Sequence, residues 1–585
     1  MRVLSARAGA DISIDRDVMT VTTANLIAVF RGPDLFRLTN RLTNEQYLRP
    51  PTPFRGSLDM GLLEPTGRQL TGDFWRKGRN ELSAQFQAKD LTRTVYLNVV
   101  IDDETQDITL TLWGESLKEG ATGLTWGMRG LDLTGGRLVL PVESGRYADE
   151  NTPFSDLAFH YPSQWEAQMM IWEDRLNTGG FVVYSRDDEM RYKQLHLTRH
   201  GPRVDIGFET EAHAPFKPNG SVKAVEWRIN TYKGDWKVPA AGYRNLMNFS
   251  RPPVPLKGNR EWVKGIRTVV SIDSKPPDVK TLEPLSKALD PKRTLLLLSN
   301  WRRDGYDPNV ADYTSREGVH DFVEKSHEMG FHVMLPIEPP GWTVQSGDSD
   351  RVRRLIVKDA TTGKVASGIG PSFQYFHPSR SFRDLLVERL KVMLDDVTPD
   401  VLYLPGAAAM PNDGNGLIDN RSFSEDMAAL HRALLTAFPD VLLGSEGMNE
   451  LITPYSTVTI RSSKSTLPPH PISTMLFSNT SFSAAIAPAS DPLLPLYGQA
   501  TFPVINIATA ADATKPSADN ALLFKLAKVW QDHELLTTWG AISKGLSIHW
   551  QGPDGTVVTS ERRGDAVVMK LGNDVIAERK APNRK

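Results

Sequence analysis

The sequence predicts a multidomain chain of mixed α/β and all-β class: an N-terminal antiparallel β-sandwich, a central (β/α)8 TIM-like barrel and a small C-terminal β region. Three observations predict it. Short alternating apolar runs separated by turn signals fill the chain to about residue 235. Short apolar runs alternate with helix-period segments from about 290. Between the two, residues 250–255 read Ser-Arg-Pro-Pro-Val-Pro, a stiff linker. At 585 residues the chain is also too long for one core.

The first region, 1–235, is built from period-two segments. Residues 107–113 place Ile108, Leu110 and Leu112 on one face, and residues 224–232 do the same with Val225, Trp227 and Ile229. Turn signals stand between such runs at Glu119-Gly120, Thr134-Gly135-Gly136, Asn177 to Gly179 and Pro218-Asn219-Gly220. Many short strands of this kind predict an antiparallel sandwich. Residues 236–289 read as a helical linker, with 235–248 its helix.

The barrel is expected over 290–545. Strands are predicted at 294–299, 332–337, 401–404, 441–444 and 457–460. Helices are predicted at 317–329, 381–394 and 424–438, with Val319, Phe322, Leu385, Leu390, Met427 and Leu434 among their inward residues. An open doubly wound sheet fits part of this pattern. No glycine-rich phosphate loop follows the first strand, so a barrel is the better reading. Residues 546–585 are a short β tail, with strands at 556–558 and 566–571.

Composition excludes several function classes. A formal net charge of -2 and the lack of a Lys/Arg run give no footprint for nucleic acid. No apolar run approaches the roughly 20 residues of a membrane span. The absence of cysteine removes disulfides, thiolate nucleophiles and cysteine-type zinc sites. No His/Asp/Glu spacing calls for a metal, and no cofactor is expected. The N-terminus has no signal-peptide h-region as it stands. The location is therefore periplasmic or secreted if a signal has been removed, and cytoplasmic otherwise.

Barrel chemistry sits on the loops after the strands. Asn300, Trp301, Asp304, Tyr306 and Asp307 follow the first of these strands, and Glu338 and Trp342 the second. His377 precedes the 381–394 helix. Tyr403 ends the 401–404 strand, Asp413 follows it, Glu446 follows 441–444 and Arg461 follows 457–460. Carboxyl pairs with aromatic side chains are what sugar chemistry needs: an acid and a nucleophile or base around an oxocarbenium-like transition state, and flat faces for the sugar ring. Trp301 and Trp342 read equally as sugar platforms or as rim packing. His327 and His332 flank a helix-to-strand turn on the opposite barrel face and read as structural.

Several segments carry a resemblance. They are LLSNWRRDGYDPNVADY (297–313), GFHVMLPIEPPGW (330–342), YFHPSRSFRDLLVERL (375–390) and LGSEGMNE (443–450), together with Tyr161-Pro162, Gln168 to Met170 and Trp236 to Arg244. Over most of residues 100–500 the chain resembles the α-retaining glycoside hydrolases related to endo-α-N-acetylgalactosaminidases, and bacterial members most closely. The resemblance implies a galactose-mutarotase-like sandwich, a barrel, and Glu446 as acid/base. It also implies an Asp nucleophile ending a Tyr-Leu-Asp pattern, where this chain has Tyr403-Leu404-Pro405.

Proline cannot attack an anomeric carbon. Three readings fit: another carboxylate, Asp413 or Glu338, takes over; water attacks in an inverting mechanism; or the protein binds glycans without cleaving them. The expected function is a bacterial glycosidase in polysaccharide degradation, with Glu446, Asp413 and Glu338 catalytic. Trp301, Asp304, Tyr306, Asp307, Trp342, His377, Tyr403 and Arg461 are the expected substrate contacts. A silent carbohydrate binder, or an epimerase or lyase, is the alternative.

Overall fold

The computed structural model describes residues 10–49, 58–64, 70–256, 258–303, 312–338, 341–343, 349–366, 373–462, 465–478, 482–488, 491–539, 547–564 and 566–580. Asp304, Tyr306 and Asp307 lie outside the described residues.

Two ten-stranded sheets come first. The first runs from Asp11–Asp15 through Ala121–Asp132, Arg203–Glu211 and Lys193–His200 to Asp156–Tyr161. The second runs from Arg146–Ala148 through Met169–Asp174, Trp227–Lys233 and Ile108–Ser116 to Leu70–Arg76. Pairing is antiparallel except where Asp34–Asn40 meets Ala121–Asp132. Each sheet sends its apolar face into one shared cluster, where Leu110 and Trp227 are buried as their alternation required. Trp165 stacks on Trp227 there at 6.0 Å.

Helix Lys237–Ser250 leads out of the sheets. Every strand of the next sheet is parallel to its neighbours; these strands are numbered here in chain order. They are β1 Thr268–Ile272, β2 Thr294–Leu298, β3 His332–Pro336, β4 Val401–Leu404, β5 Leu442–Glu446, β6 Val458–Ser462, β7 Phe482–Ile486, β8 Phe502–Pro503 and β9 Ile505–Ile507. Their order is β8-β7-β6-β5-β4-β3-β2-β1-β9. Only Val504 separates the two edge strands, so the sheet nearly closes on itself and fits a barrel.

Residue parity divides this sheet. Val269, Leu295, Met334, Val401, Leu442, Val458 and Ala484 fill the interior. Val270, Leu296, Val333, Leu402 and Leu443 face the surrounding helices, including Arg380–Asp396 and Phe423–Ala437. Strand β1 lies in the segment expected as linker. Its residues Thr-Val-Val-Ser-Ile interrupt the apolar run with two hydroxyls, so the pattern did not stand out.

At the N-terminal end of the barrel His327 and His332 both bond the Asp400 carboxylate, at 2.9 and 3.3 Å, which accounts for them as structural residues. A five-stranded antiparallel sheet, Leu536–Thr537 to Asp574–Lys580, closes the chain and packs Val558 and Met569 against the helices' side of the barrel. Among the described residues no helix is long and apolar enough to cross a membrane.

The paired sheets and the barrel meet through specific bonds. Met410 N donates to Ser163 Oγ at 2.9 Å, and Asn449 Nδ2 donates to the Pro162 carbonyl at 3.2 Å. Asn412 donates to Glu211 and to the Ala212 carbonyl at 3.2 and 2.8 Å, and accepts from Ala214 N.

Candidate active site

Register builds the barrel mouth. Pro336 pairs with Tyr403, Tyr403 with Gly444, and Leu404 with Ser445. One residue further, Glu446 ends β5 and Pro405 opens the turn that follows Leu404; the Gly406 N–H that Glu446 accepts keeps that turn beside it. Both share the parity of the interior residues Val401, Tyr403 and Leu442. Glu338, two residues past Pro336, has the same parity on the other side of Pro405; the Ile337 N–H still bonds the Tyr403 carbonyl at 2.7 Å, so the alignment continues to that point. Three adjacent strands thus lead to Glu338, two residues past the end of β3, to Pro405, one residue past β4, and to Glu446, the last residue of β5.

The layer beneath explains a glycine. A Cβ on Gly444 would lie 3.3 Å from Met334 Sδ and from the Tyr403 ring, so the small residue leaves room for those side chains under Glu446. Gly447 turns the chain out of the strand at φ 71, and a Cβ there would lie 2.9 Å from the Ala408 Cβ.

Glu446 is half-buried, and its Oε2 accepts the Gly406 N–H at 2.9 Å. Tyr375 Oη comes within 4.0 Å of where a Gly406 Cβ would be. Burial, and then the charge of Glu446, push the Tyr375 phenol up.

Glu338 is only 4% exposed, and its Oε2 accepts from Arg302 Nη1 at 2.7 Å. Burial pushes its carboxyl up to about 7, outweighing the pull of Arg302 in the other direction.

Other expected site residues do not join this mouth. Asp413 is buried and fully engaged: it accepts from His377, Lys358 N and Asn415 N at 3.0, 3.1 and 2.9 Å. His377 is buried between Asp413 and Asp426 and bonds both. Burial pushes His377 down, but bonds to the two carboxylates hold it above its ordinary value. The pair thus ties the loops at 358 and 415 to the Phe423–Ala437 helix through Asp426.

Trp301 is 1% exposed. Its Nε1 donates to the Pro336 carbonyl at 2.8 Å and its ring stacks on Tyr313, so it offers no face to a sugar. Arg461 has outward parity on β6 and is fully buried, donating to the Gln499 carbonyl at 3.1 Å and to Thr501 Oγ1. Strand alternation turns it away from the interior and toward the paired sheets, where the charges of Glu166 and Arg146 act on it. Tyr403 stays in the interior, one layer below Glu446. Trp342 pairs with Gln374 in a short antiparallel ladder; its side chain lies outside the described set.

A cleft of ≈ 730 Å³ opens between the outer face of the first sheet and the barrel loops at 357–361 and 409–412. Tyr375 lines it on the barrel side, and His160, Gln194, Glu209 and Glu211 on the sheet side. The Glu211 carboxylate takes His160 Nδ1 at 3.4 Å and Gln194 Nε2 at 2.9 Å, and Glu209 takes His196 Nε2 at 2.7 Å. The sequence reading missed these residues. Their signal was a run of polar side chains at every second position, Gln194 and His196, then Glu209 and Glu211, on strands whose other face is apolar.

No protein-family model matches the chain, and no curated protein matches it. Solved structures do. The α-N-acetylgalactosaminidase NagBb from Bifidobacterium bifidum, in complex with GalNAc, aligns at TM-score 0.72 and 13% identity over 94% of this chain and 100% of that one. Its ligand-free form aligns at 0.71 and 13% identity, over 93% and 98%. The family 36 α-galactosidase AgaB from Geobacillus stearothermophilus aligns at 0.48 and 10% identity, over 96% and 94%. At 13% identity the likeness to NagBb is one of fold, and it runs along nearly the whole length of this chain.

Proposed function

We propose that this chain is a glycoside hydrolase that cleaves an α-linked bond in an oligo- or polysaccharide, with Glu446 as general acid and Glu338 as general base. The paired sheets then correspond to the galactose-mutarotase-like sandwich of such enzymes, and the nearly closed sheet to their catalytic barrel. One observation carries the reading: Glu338, Pro405 and Glu446 stand at or just past the ends of three adjacent strands of a glycosidase-like barrel.

Neighbouring strands lie about 4.8 Å apart, so the roots of Glu338 and Glu446 are separated by about 10 Å. Inverting glycosidases keep their carboxyls about 6.5–9.5 Å apart to hold a water, and retaining ones about 5–5.5 Å. The one-step position that a retaining nucleophile needs is taken by Pro405. Water is therefore the nucleophile. Its oxygen bonds the anomeric carbon as the glycosidic C–O bond breaks, Glu338 takes the water's proton, and Glu446 gives its own to the leaving oxygen. Arg302 fixes the Glu338 carboxylate, and a base held near 7 is matched to work near neutral pH.

A silent carbohydrate binder is the second reading. It is favoured by Pro405 in the nucleophile's place and by the engagement of Asp413 in its bond to His377. Assay of aryl α-glycosides and native α-linked glycans with the wild-type protein, Glu446→Gln and Glu338→Gln separates the two. Turnover lost in both variants supports the hydrolase; sugar binding with no turnover in any form supports the binder.

A further inference from the structure

We propose that the cleft between the first sheet and the barrel is a binding subsite for the leaving-group side of an extended, uncharged oligosaccharide. This rests on the hydrolase reading above and adds where the rest of the glycan lies and what its chemistry must be.

The cleft is continuous with the strand ends. Tyr375 lines the cleft, its hydroxyl lies 4.0 Å from where a Gly406 Cβ would stand, and the Gly406 N–H donates to Glu446, so the cleft begins near the proposed acid. An acid must reach the leaving oxygen, and the sugar attached to that oxygen then extends past Tyr375 into the cleft. A volume of ≈ 730 Å³ lies in the upper part of the range for ligand sites, which suits several sugar rings rather than one.

Gln194, Glu209, Glu211 and Asn412 offer planar groups that suit vicinal hydroxyls, and Phe216 and Tyr375 add flat apolar surface. The arrangement is fixed in advance: Asn412, from the barrel, and Gln194 and His160, from the sheet, all bond Glu211. Glu209, Glu211 and Asp359 line the cleft against Lys358 and two histidine-to-glutamate contacts nearby. A uronate or sulfated chain would meet carboxylates there, so a neutral glycan is the occupant.

The test is calorimetric titration of the full chain with galactose and with neutral α-galacto-oligosaccharides of two to four units, with an α-linked oligogalacturonide as the acidic counterpart. Affinity should rise by about tenfold or more between the single sugar and the trisaccharide, and the galacturonide should not bind. Gln194→Ala should reduce trisaccharide affinity by about tenfold and leave the single sugar unchanged. Thr361→Trp, on an exposed turn at the cleft wall, should do the same without touching the core. Affinity independent of length, or tighter binding of the galacturonide, overturns the subsite while leaving the hydrolase reading in place. No binding by any sugar, together with no hydrolysis, overturns both.

Discussion

Glu446, the last residue of its strand, turns its Oε2 onto the N–H of Gly406 at 2.9 Å, in the turn that Pro405 opens at the end of the adjacent parallel strand. The acid proposed for this site therefore leans on the very strand end that lacks a nucleophile. One substitution tests that geometry. An aspartate at 405 would be rooted about one strand step from Glu446, the neighbouring position that a retaining pair uses. Pro405→Asp is expected to yield product of retained configuration, read by proton NMR of the first-formed anomer. Unchanged inversion at unchanged rate would mean that the 405 side chain does not face the reacting carbon.

The Glu338 carboxyl should shape the pH profile. Burial holds it up to about 7, so kcat/KM is expected to rise through a limb with a midpoint about 7 as the base loses its proton. Arg302→Met removes the cation that opposes this shift and should move the limb to higher pH. Stability should run the other way. The folded state keeps a proton that the unfolded chain releases near 4.5, so the benefit is complete below that pH and is lost as pH rises through about 7. At about 1.4 kcal/mol per pH unit, Glu338 accounts for about 3 kcal/mol of that decline. Glu166, also raised to about 7 by burial, adds to the same window. Denaturant titrations between pH 4.5 and 7.5 should show a shallower decline in Glu338→Gln; an identical slope would contradict the shift.

Asp413 and His377 should be structural. His377→Leu removes one partner from each of Asp413 and Asp426, which keep Lys358 N and Asn415 N, and Arg383 and Arg421, respectively, a loss of about 1–3 kcal/mol. Asp413→Asn should cost less and leave kcat within about twofold in the folded fraction, since general catalysis is worth about 10²–10⁴ in rate. A loss of that larger size in a well-folded Asp413→Asn protein would return Asp413 to the reaction.

Trp301 carries a similar distinction. Fully buried and bonded to the Pro336 carbonyl, it should cost about 3–5 kcal/mol on truncation to Ala, seen as a lower Tm. Sugar affinity of the protein that remains folded should not change. Weaker binding at unchanged Tm would make it a platform after all.

Much of the fold was legible because periodicity is a local property. The runs holding Leu402 and Leu442 read as buried parallel strands, and Leu385, Leu390 and Met427 marked the inner faces of their helices. Glu446 stood out because it ends such a run, and parity then aims it inward. Arg461 also ends a run, but it sits at the opposite parity, and only knowing which face is the interior separates the two. Trp301 could not be assigned from sequence, since its burial depends on the Pro336 carbonyl and Tyr313 brought close by folding. The cleft was half visible: Gln194 and Glu209 alternate plainly, but the loops at 357–361 and 409–412 that face them come from far along the chain.

Glu446 and Glu338, as proposed, work on either side of Pro405 as an inverting acid–base pair. The most direct measurement of this is the configuration and rate of product formation from α-linked N-acetylgalactosaminides and galactosides, followed by proton NMR in the wild-type protein and Glu446→Gln. The β-anomer is expected to appear first, and Glu446→Gln to slow turnover by about 10²–10⁴ on a natural glycan but by less on a nitrophenyl glycoside, whose leaving group needs little protonation. An α-anomer formed first by the wild-type protein, or full activity in Glu446→Gln, would contradict it.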